Sequence, residues 1–430
     1  MERLAYKSLL AWKNSEDRKP LVLYGARQVG KTYILKEFGK REFKNTLYLN
    51  FDKEKKLHGY FADSISPKHI INSLKTEFGQ EINTETLLIF DEIQECQRAK
   101  DALKYFNEEA PEYHLVAAGS FLGIAGGKFP VGQVNRLTLY PMSFFEFLEA
   151  TGNEMLLQNL RSPDKSLVCA MHPLAVEKLR QYFYIGGMPE AVKTYAKTGD
   201  LLLTRQVQEN ILSNYKEDFL KHIKGSDIPK VRMLWDSIPV HLAKEKKKFM
   251  YKEIKQGGRA AEFENALDWL VNTGLVYKVS QTTSPSLPLS RNAKEAFKLY
   301  MLDIGLLGAK ANLDIKTFFE HDNKIFGEFK GALTEQFALQ ELKANSDYPI
   351  FYWANDSGAA EVDFLLQYKN EAVPLEVKSG IQTKAKSLNI YIEKYNPNLA
   401  IKSSLKHYGK NGNLFSVPLY LLGNLGEYLV

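Results

Sequence analysis

Short, nearly unbroken apolar runs punctuate the first third of the chain. PLVLY at 20–24, TLLIFD at 86–91, HLVAA at 114–118 and LTLYP at 137–141 lack the alternation of a strand with one wet face, and Thr46 to Phe51 reads as a further strand between the first two. Runs of this kind predict strands buried on both faces, as in a parallel sheet covered by helices. Helical spacing fills the intervals, with Tyr33 to Phe38 and Pro67 to Phe78 as the clearest cases. From 142 to 224 the apolar residues fall at helical spacing, interrupted near Pro163 and at Gly186, Gly187 and Pro189, which predicts a helical lid. Between Asp227 and Ser280, short helices lead into LVYKVS, the pattern of a winged-helix-like module closing on a small strand pair. The polar, proline-bearing stretch 281–290 reads as a linker. Farther on, a helix over 327–345 precedes YPIFYW, AEVDFLLQY and AVPLEVKSG, with a last strand at Ala400 to Ser403. The expected fold class is α/β: a parallel sheet over 1–141, a helical lid over 142–226, a winged-helix-like module and linker over 227–290, and an α/β domain over 291–430.

Composition narrows the class without choosing a function. The 430 residues are 44% hydrophobic and 25% charged, as in folded multidomain proteins, which excludes disordered and fibrous classes. Net charge is +6. Much of it sits between Lys244 and Arg259, where seven basic residues meet only Glu245 and Glu253. Such a cluster can face nucleic-acid phosphates, though a solvated helix end has the same composition. Cys96 and Cys169 lie far apart and form no disulfide or zinc spacing. With no apolar run approaching the ~20 residues that cross a bilayer and no signal-peptide core, the expectation is a cytoplasmic protein without a membrane partner.

Chemistry enters with GARQVGKT, which matches G-x-x-x-x-G-K-[ST] between a predicted strand and a helix. In this grammar the backbone of Gly25, Ala26, Arg27, Gln28, Val29 and Gly30 wraps phosphates, Lys31 reaches their outer oxygens and the Thr32 hydroxyl ligates magnesium. The second strand signal, TLLIFDEIQ, ends in Asp91 and Glu92. Asp91 is placed to hold magnesium, and Glu92 to polarise an attacking water. Ser120 ends a further strand, where it either contacts the terminal phosphate or caps the next segment. The cofactors expected are therefore ATP and Mg.

A second constellation occupies the carboxyl-terminal region. Asp363 interrupts an apolar strand, and Glu376 and Lys378, two apart, project from one face of the next. If those strands form a hairpin, the three groups converge: carboxylates suited to a divalent cation, and a lysine suited to orient water. The eight histidines are scattered, and no HExxH, G-x-S-x-G or kinase signature occurs.

GARQVGKT, LLIFDEIQ and LVAAGS, followed by FPVGQVNRLTLYPMSFFEFL and YIGGMPEAV, resemble the AAA+ ATPases found fused to a domain of unknown function of the DUF4143 type. The similarity runs through essentially the whole chain. It implies a P-loop sheet, a lid beginning near Pro141 and an ATP-dependent role. It also implies a basic residue after the glycine of PVG, where this chain has Gln133 and, nearby, Arg136. The D-x(12)-E-V-K pattern behind a helix carrying Glu335 resembles the PD-(D/E)xK nuclease superfamily, with Val362 in the place of its proline. That resemblance implies Glu335, Asp363 and Glu376 as metal ligands and Lys378 as the catalytic lysine beside the ATPase residues Lys31 and Glu92. Two functions follow as expectations. One is an ATPase coupled to a nuclease-like domain acting on DNA or RNA. The other is a nucleotide-switched scaffold whose carboxyl domain is catalytically silent and binds nucleic acid or protein. A homo-oligomer is compatible with both.

Overall fold

The computed structural model describes residues 3–120, 122, 132–162, 164–223, 225–244, 247–319, 327–380 and 385–428. Residues 129–131 of the PVG segment, Pro163, His321 and, in the basic cluster, Glu245 and Lys246 lie outside the described residues. Two compact units emerge, one of residues 2–140 with 272–274 and one of 141–271 with 275–430.

In the first unit, α1 (Leu4–Lys13) precedes β1 (Leu21–Tyr24), α2 (Lys31–Glu42), β2 (Asn45–Asn50), α3 (Pro67–Phe78), β3 (Thr86–Asp91), α4 (Gln97–Glu109), β4 (His114–Ala118) and β5 (Asn135–Thr138). The sheet runs β2-β3-β4-β1-β5 and is parallel throughout. All six residues of β3 are buried, as the unbroken apolar run demands. Leu88 and Phe90 pack with Leu49, Ile70, Leu74, Leu103 and Phe106 in one core that joins the sheet to α3 and α4. Parallel pairing aligns Asn50 with Asp91 and Asp91 with Ala118, so the carboxyl ends of three strands open on one edge. Open α/β sheets bind ligands at that edge.

The second unit begins with helices α5 (Phe144–Ala150), α6 (Glu154–Leu160), α7 (Lys165–Ala170), α8 (His172–Ile185), α9 (Pro189–Thr198), α10 (Leu201–His222), α11 (Ile228–Leu242) and α12 (Ala260–Asn272). Ser143 and Glu146 form a reciprocal capping box that starts α5. The YIGGMPEAV motif has a packing explanation. A Cβ on Gly187 would lie 2.0 Å from the Met142 carbonyl oxygen. The Gly187 N–H donates to Asp303 Oδ2 at 2.6 Å, and its carbonyl accepts from Met142 at 2.7 Å. Only a residue without a side chain fits there.

The remaining elements are β6 (Val276–Thr282), β7 (Ala293–Met301), α13 (Ile304–Lys310), α14 (Ile315–Phe319), α15 (Gly327–Asn345), β8 (Ile350–Ala354), β9 (Glu361–Tyr368), β10 (Glu371–Val377), α16 (Lys386–Tyr395), β11 (Ala400–Ser404), β12 (Gly409–Asn411) and β13 (Leu414–Pro418). Their strands make one mixed eight-stranded sheet, β12-β13-β11-β10-β9-β8-β6-β7. The expected order of helix, three strands, helix and strand is present as α15, β8, β9, β10, α16 and β11. The expected boundary at 290/291 lies between two paired strands. It falls inside the β6–β7 hairpin, and β6 also pairs in parallel with β8. The strand pair assigned to a separate winged-helix-like module is therefore an edge of the carboxyl-terminal sheet, because pairing across a long sequence separation completes it.

Candidate functional site

The strand-to-helix turn of the first unit folds as its glycines require. Gly25 has φ 143°, and a Cβ there would lie 2.3 Å from the Leu139 carbonyl oxygen, so the turn is closed to any larger residue. Gly30 precedes α2, whose first residue is Lys31. Lys31 is buried with its Nζ donating to the Gly25 and Ala26 carbonyls at 2.8 Å each and lying 3.4 Å from Ser120 Oγ. Burial pulls its ammonium down to about 8, against the opposing pull of Glu92 and Asp91. Thr32 Oγ1 donates to Asp91 Oδ2 at 2.8 Å. Asp91 Oδ1 accepts the Glu92 N–H at 3.1 Å. Glu92 stands in the left-handed region at φ 51°, and its Oε2 accepts from Gln94 Nε2 at 2.6 Å. The structure thus brings Lys31, Thr32, Asp91 and Ser120 into one connected cluster, with Glu92 beside it. A hydroxyl and a carboxylate oxygen meeting at 2.8 Å are hard donors that fit magnesium. Arg136 stands on β5 with its guanidinium 5.7 Å from the Tyr24 ring, and Gln133 accepts from Asn107 at 2.5 Å.

The second cluster lies in the mixed sheet. β9 and β10 do form an antiparallel hairpin, and the Val377 N–H donates to Asp363 Oδ2 at 2.8 Å. Lys378 Nζ meets Glu376 Oε1 at 2.5 Å, while Glu376 Oε2 is buried without a hydrogen-bond partner. Glu335 on α15 has both oxygens engaged. Its Oε1 receives Lys247 Nζ; its Oε2 accepts from the Tyr300 hydroxyl at 3.1 Å and lies 3.7 Å from Lys298 Nζ. Fully buried Lys298 also stands 2.6 Å from Glu361 Oε1, off the hydrogen-bond direction, so charge rather than a directed bond holds that pair.

These partners set the protonation pattern. Burial works against an ionised Glu335, but Lys247 and Lys298 outweigh it and hold the carboxyl well below the usual range. Asp363 moves strongly upward through burial, reinforced by Glu335 and Glu376. Glu376 also moves upward, mainly through burial. The raised Asp363 carboxyl thus favours its protonated form beside an ionised Glu335. Of the three residues expected to bind a metal, Glu335 is engaged by two lysines in this structure. Ammonium groups already fill the place of a cation around Glu335. Among the described residues no group of three or more His, Cys, Asp or Glu side chains is spaced to hold a metal.

Family models match three segments of the chain. Residues 17–148 match an AAA domain, 176–317 a domain of unknown function (DUF8612) and 330–422 a domain of unknown function (DUF4143). The chain carries an AAA ATPase domain fused to a DUF4143 domain. No curated protein matches it. Among solved structures, a Walker-type ATPase of Pyrococcus abyssi is 15% identical, covering 72% of this chain and 95% of its own, with a TM-score of 0.43. The Orc1 protein of Aeropyrum pernix in complex with DNA is 12% identical over 72% of this chain and 90% of its own, with a TM-score of 0.28. The RuvB Holliday junction branch migration motor of Thermotoga maritima is 16% identical over 64% and 86%, with a TM-score of 0.29.

Several residues of the AAA domain escaped the motif reading. Tyr48 donates to Asp91 Oδ2 at 2.7 Å, and Gln94 holds Glu92. Buried Arg3 donates to the Val29 carbonyl at 3.0 Å and the Tyr140 carbonyl at 2.6 Å, bracing the phosphate loop from behind. The alignment of β2 beside β3 is the signal that would have found Tyr48; nothing local marks Arg3. The basic cluster is also less open than its charge implied. Lys244 pairs with Glu253 at 2.6 Å, Lys255 with Glu262 at 2.6 Å, and Lys247 is buried against Glu335. Lys248, Lys252 and Arg259 are exposed. No described helix is long and apolar enough to cross a membrane.

Proposed function

We propose that the AAA domain binds ATP with magnesium and hydrolyses it. The observation that carries this reading is the 2.8 Å hydrogen bond from Thr32 to Asp91, with Lys31 folded inside the same turn. The loop backbone from Gly25 to Gly30 cradles the phosphates. Lys31 exchanges its two carbonyl partners for phosphate oxygens, a desolvated ammonium being a strong partner for an anion. Thr32 and Asp91 hold the magnesium, which supplies charge neutralisation on the phosphates. Glu92, once it leaves Gln94, takes a proton from the water that attacks the γ-phosphorus while the bond to the β-bridging oxygen breaks. Ser120, next to Lys31, contacts the terminal phosphate. The test is magnesium-dependent phosphate release by the parent and by a folded Lys31→Ala variant. Loss of turnover in the variant is expected, and unchanged turnover overturns the reading.

For the DUF4143 domain, metal-dependent cutting of nucleic acid competes with a silent binding role. The lysines that engage Glu335 favour the silent role, in which nucleotide state in the AAA domain governs binding of nucleic acid or a protein. Incubation of the parent and Asp363→Ala with DNA and RNA in manganese decides between them. Cleavage lost on that substitution restores the nuclease reading.

A further inference from the structure

Asp91 has one partner that the P-loop grammar does not call for. The Tyr48 hydroxyl donates to the same oxygen, Oδ2, that Thr32 occupies, at 2.7 Å. The direction of that bond follows from its neighbours. Asn50 Oδ1 accepts the N–H groups of Asp52 and Lys53 at 3.1 and 2.8 Å, which orients the amide. Its Nδ2 therefore points the other way and donates to the Tyr48 oxygen at 3.0 Å. An amide nitrogen only donates, so the single phenolic proton is left for Asp91. Lys36 Nζ sits 3.7 Å from the ring centroid and pins the ring face.

We propose that Tyr48 is a positioning residue that fixes the Asp91 carboxylate for the magnesium-bound nucleotide. The inference rests on the ATPase reading above. When the Thr32 hydroxyl turns to the cation, Asp91 loses one of its two side-chain donors. Tyr48 then holds Oδ2 while the Glu92 N–H holds Oδ1, so the carboxylate keeps its rotamer. Partners of a metal ligand that fix its orientation alter metal affinity by roughly 10- to 100-fold when removed.

The experiment follows binding of a fluorescent ATP analogue as magnesium is titrated, for the parent, Tyr48→Phe, Asp91→Asn and the double variant, each checked for parental melting. Tyr48→Phe keeps the ring and its contact with Lys36. Its magnesium midpoint should rise about tenfold, while nucleotide binding in EDTA stays within about twofold of the parent. In the double variant the two midpoint shifts should fall short of additive, since Tyr48 acts through Asp91. An unchanged midpoint in Tyr48→Phe, or additive shifts, overturns the role of Tyr48 and leaves the ATPase reading standing. Failure of the parent to bind nucleotide overturns both.

Discussion

Asp91 and Glu335 are both buried carboxylates, and each accepts a tyrosine hydroxyl, from Tyr48 and Tyr300 respectively. Their remaining partners set them apart. Asp91 Oδ2 has the neutral hydroxyl of Thr32, whereas Glu335 has the ammonium groups of Lys247 and Lys298. A hydroxyl can rotate from a carboxylate to a cation and leave the negative charge available. An ammonium cancels that charge and must be expelled before a metal can take its place, exposing a buried lysine without a counter-ion. Similar acidic residues thus meet neutral, rotatable hydroxyls in one unit and an ion-pair network in the other.

The largest effect should come from opening the closed network. Lys298→Met leaves Glu335 and Glu361 short of a buried counter-charge and should cost about 3–5 kcal/mol in denaturant unfolding. Thr32→Val, which removes a hydroxyl from Asp91, should cost about 1 kcal/mol in the same assay. Equal costs would break the contrast. Next in size, Glu92→Gln should keep ATP bound and slow its hydrolysis by roughly 100-fold or more in single-turnover measurements. Weak binding instead would place Glu92 among the binding groups.

A third carboxylate tests whether burial without lysines behaves differently. Glu341 accepts the Phe144 N–H at 2.8 Å, and burial, with Glu146 adding to it, pushes its carboxyl up to about 8. The folded chain therefore holds this proton more tightly than the unfolded chain does. The resulting stability is full below the ordinary value of 4.5 and is lost as pH rises through about 8. Glu341→Gln keeps the acceptor and should gain roughly 2 kcal/mol over the parent at pH 9, with little change at pH 5, by thermal or urea unfolding. Glu335, held low by two lysines, should show no such gain at alkaline pH when changed to Gln.

What could be read from the chain followed the range of the interactions. The phosphate turn, β3 with Asp91 and Glu92, and the β9–β10 hairpin depend on local patterns and strand direction, and all were legible. The closed network was not. Lys298 sits in KEAFKLYM, a stretch whose alternation does not mark the lysine as buried, yet it is fully enclosed beside Glu335 of α15, the Tyr352 ring of β8 and Glu361 of β9. Lys247 belongs to a run that reads as solvated charge, and its partner lies 88 residues away. Motif spacing located the acidic groups but could not show which cations would reach them.

The shared sheet also decides how the chain can be cut. A fragment beginning at residue 291 would keep β7 and β8 but lose β6, the strand that pairs with both. Two rows of backbone donors and acceptors would be left facing water, a template for intermolecular pairing. Such a fragment should precipitate or self-associate, whereas one retaining residues 141–430 keeps every strand of the sheet.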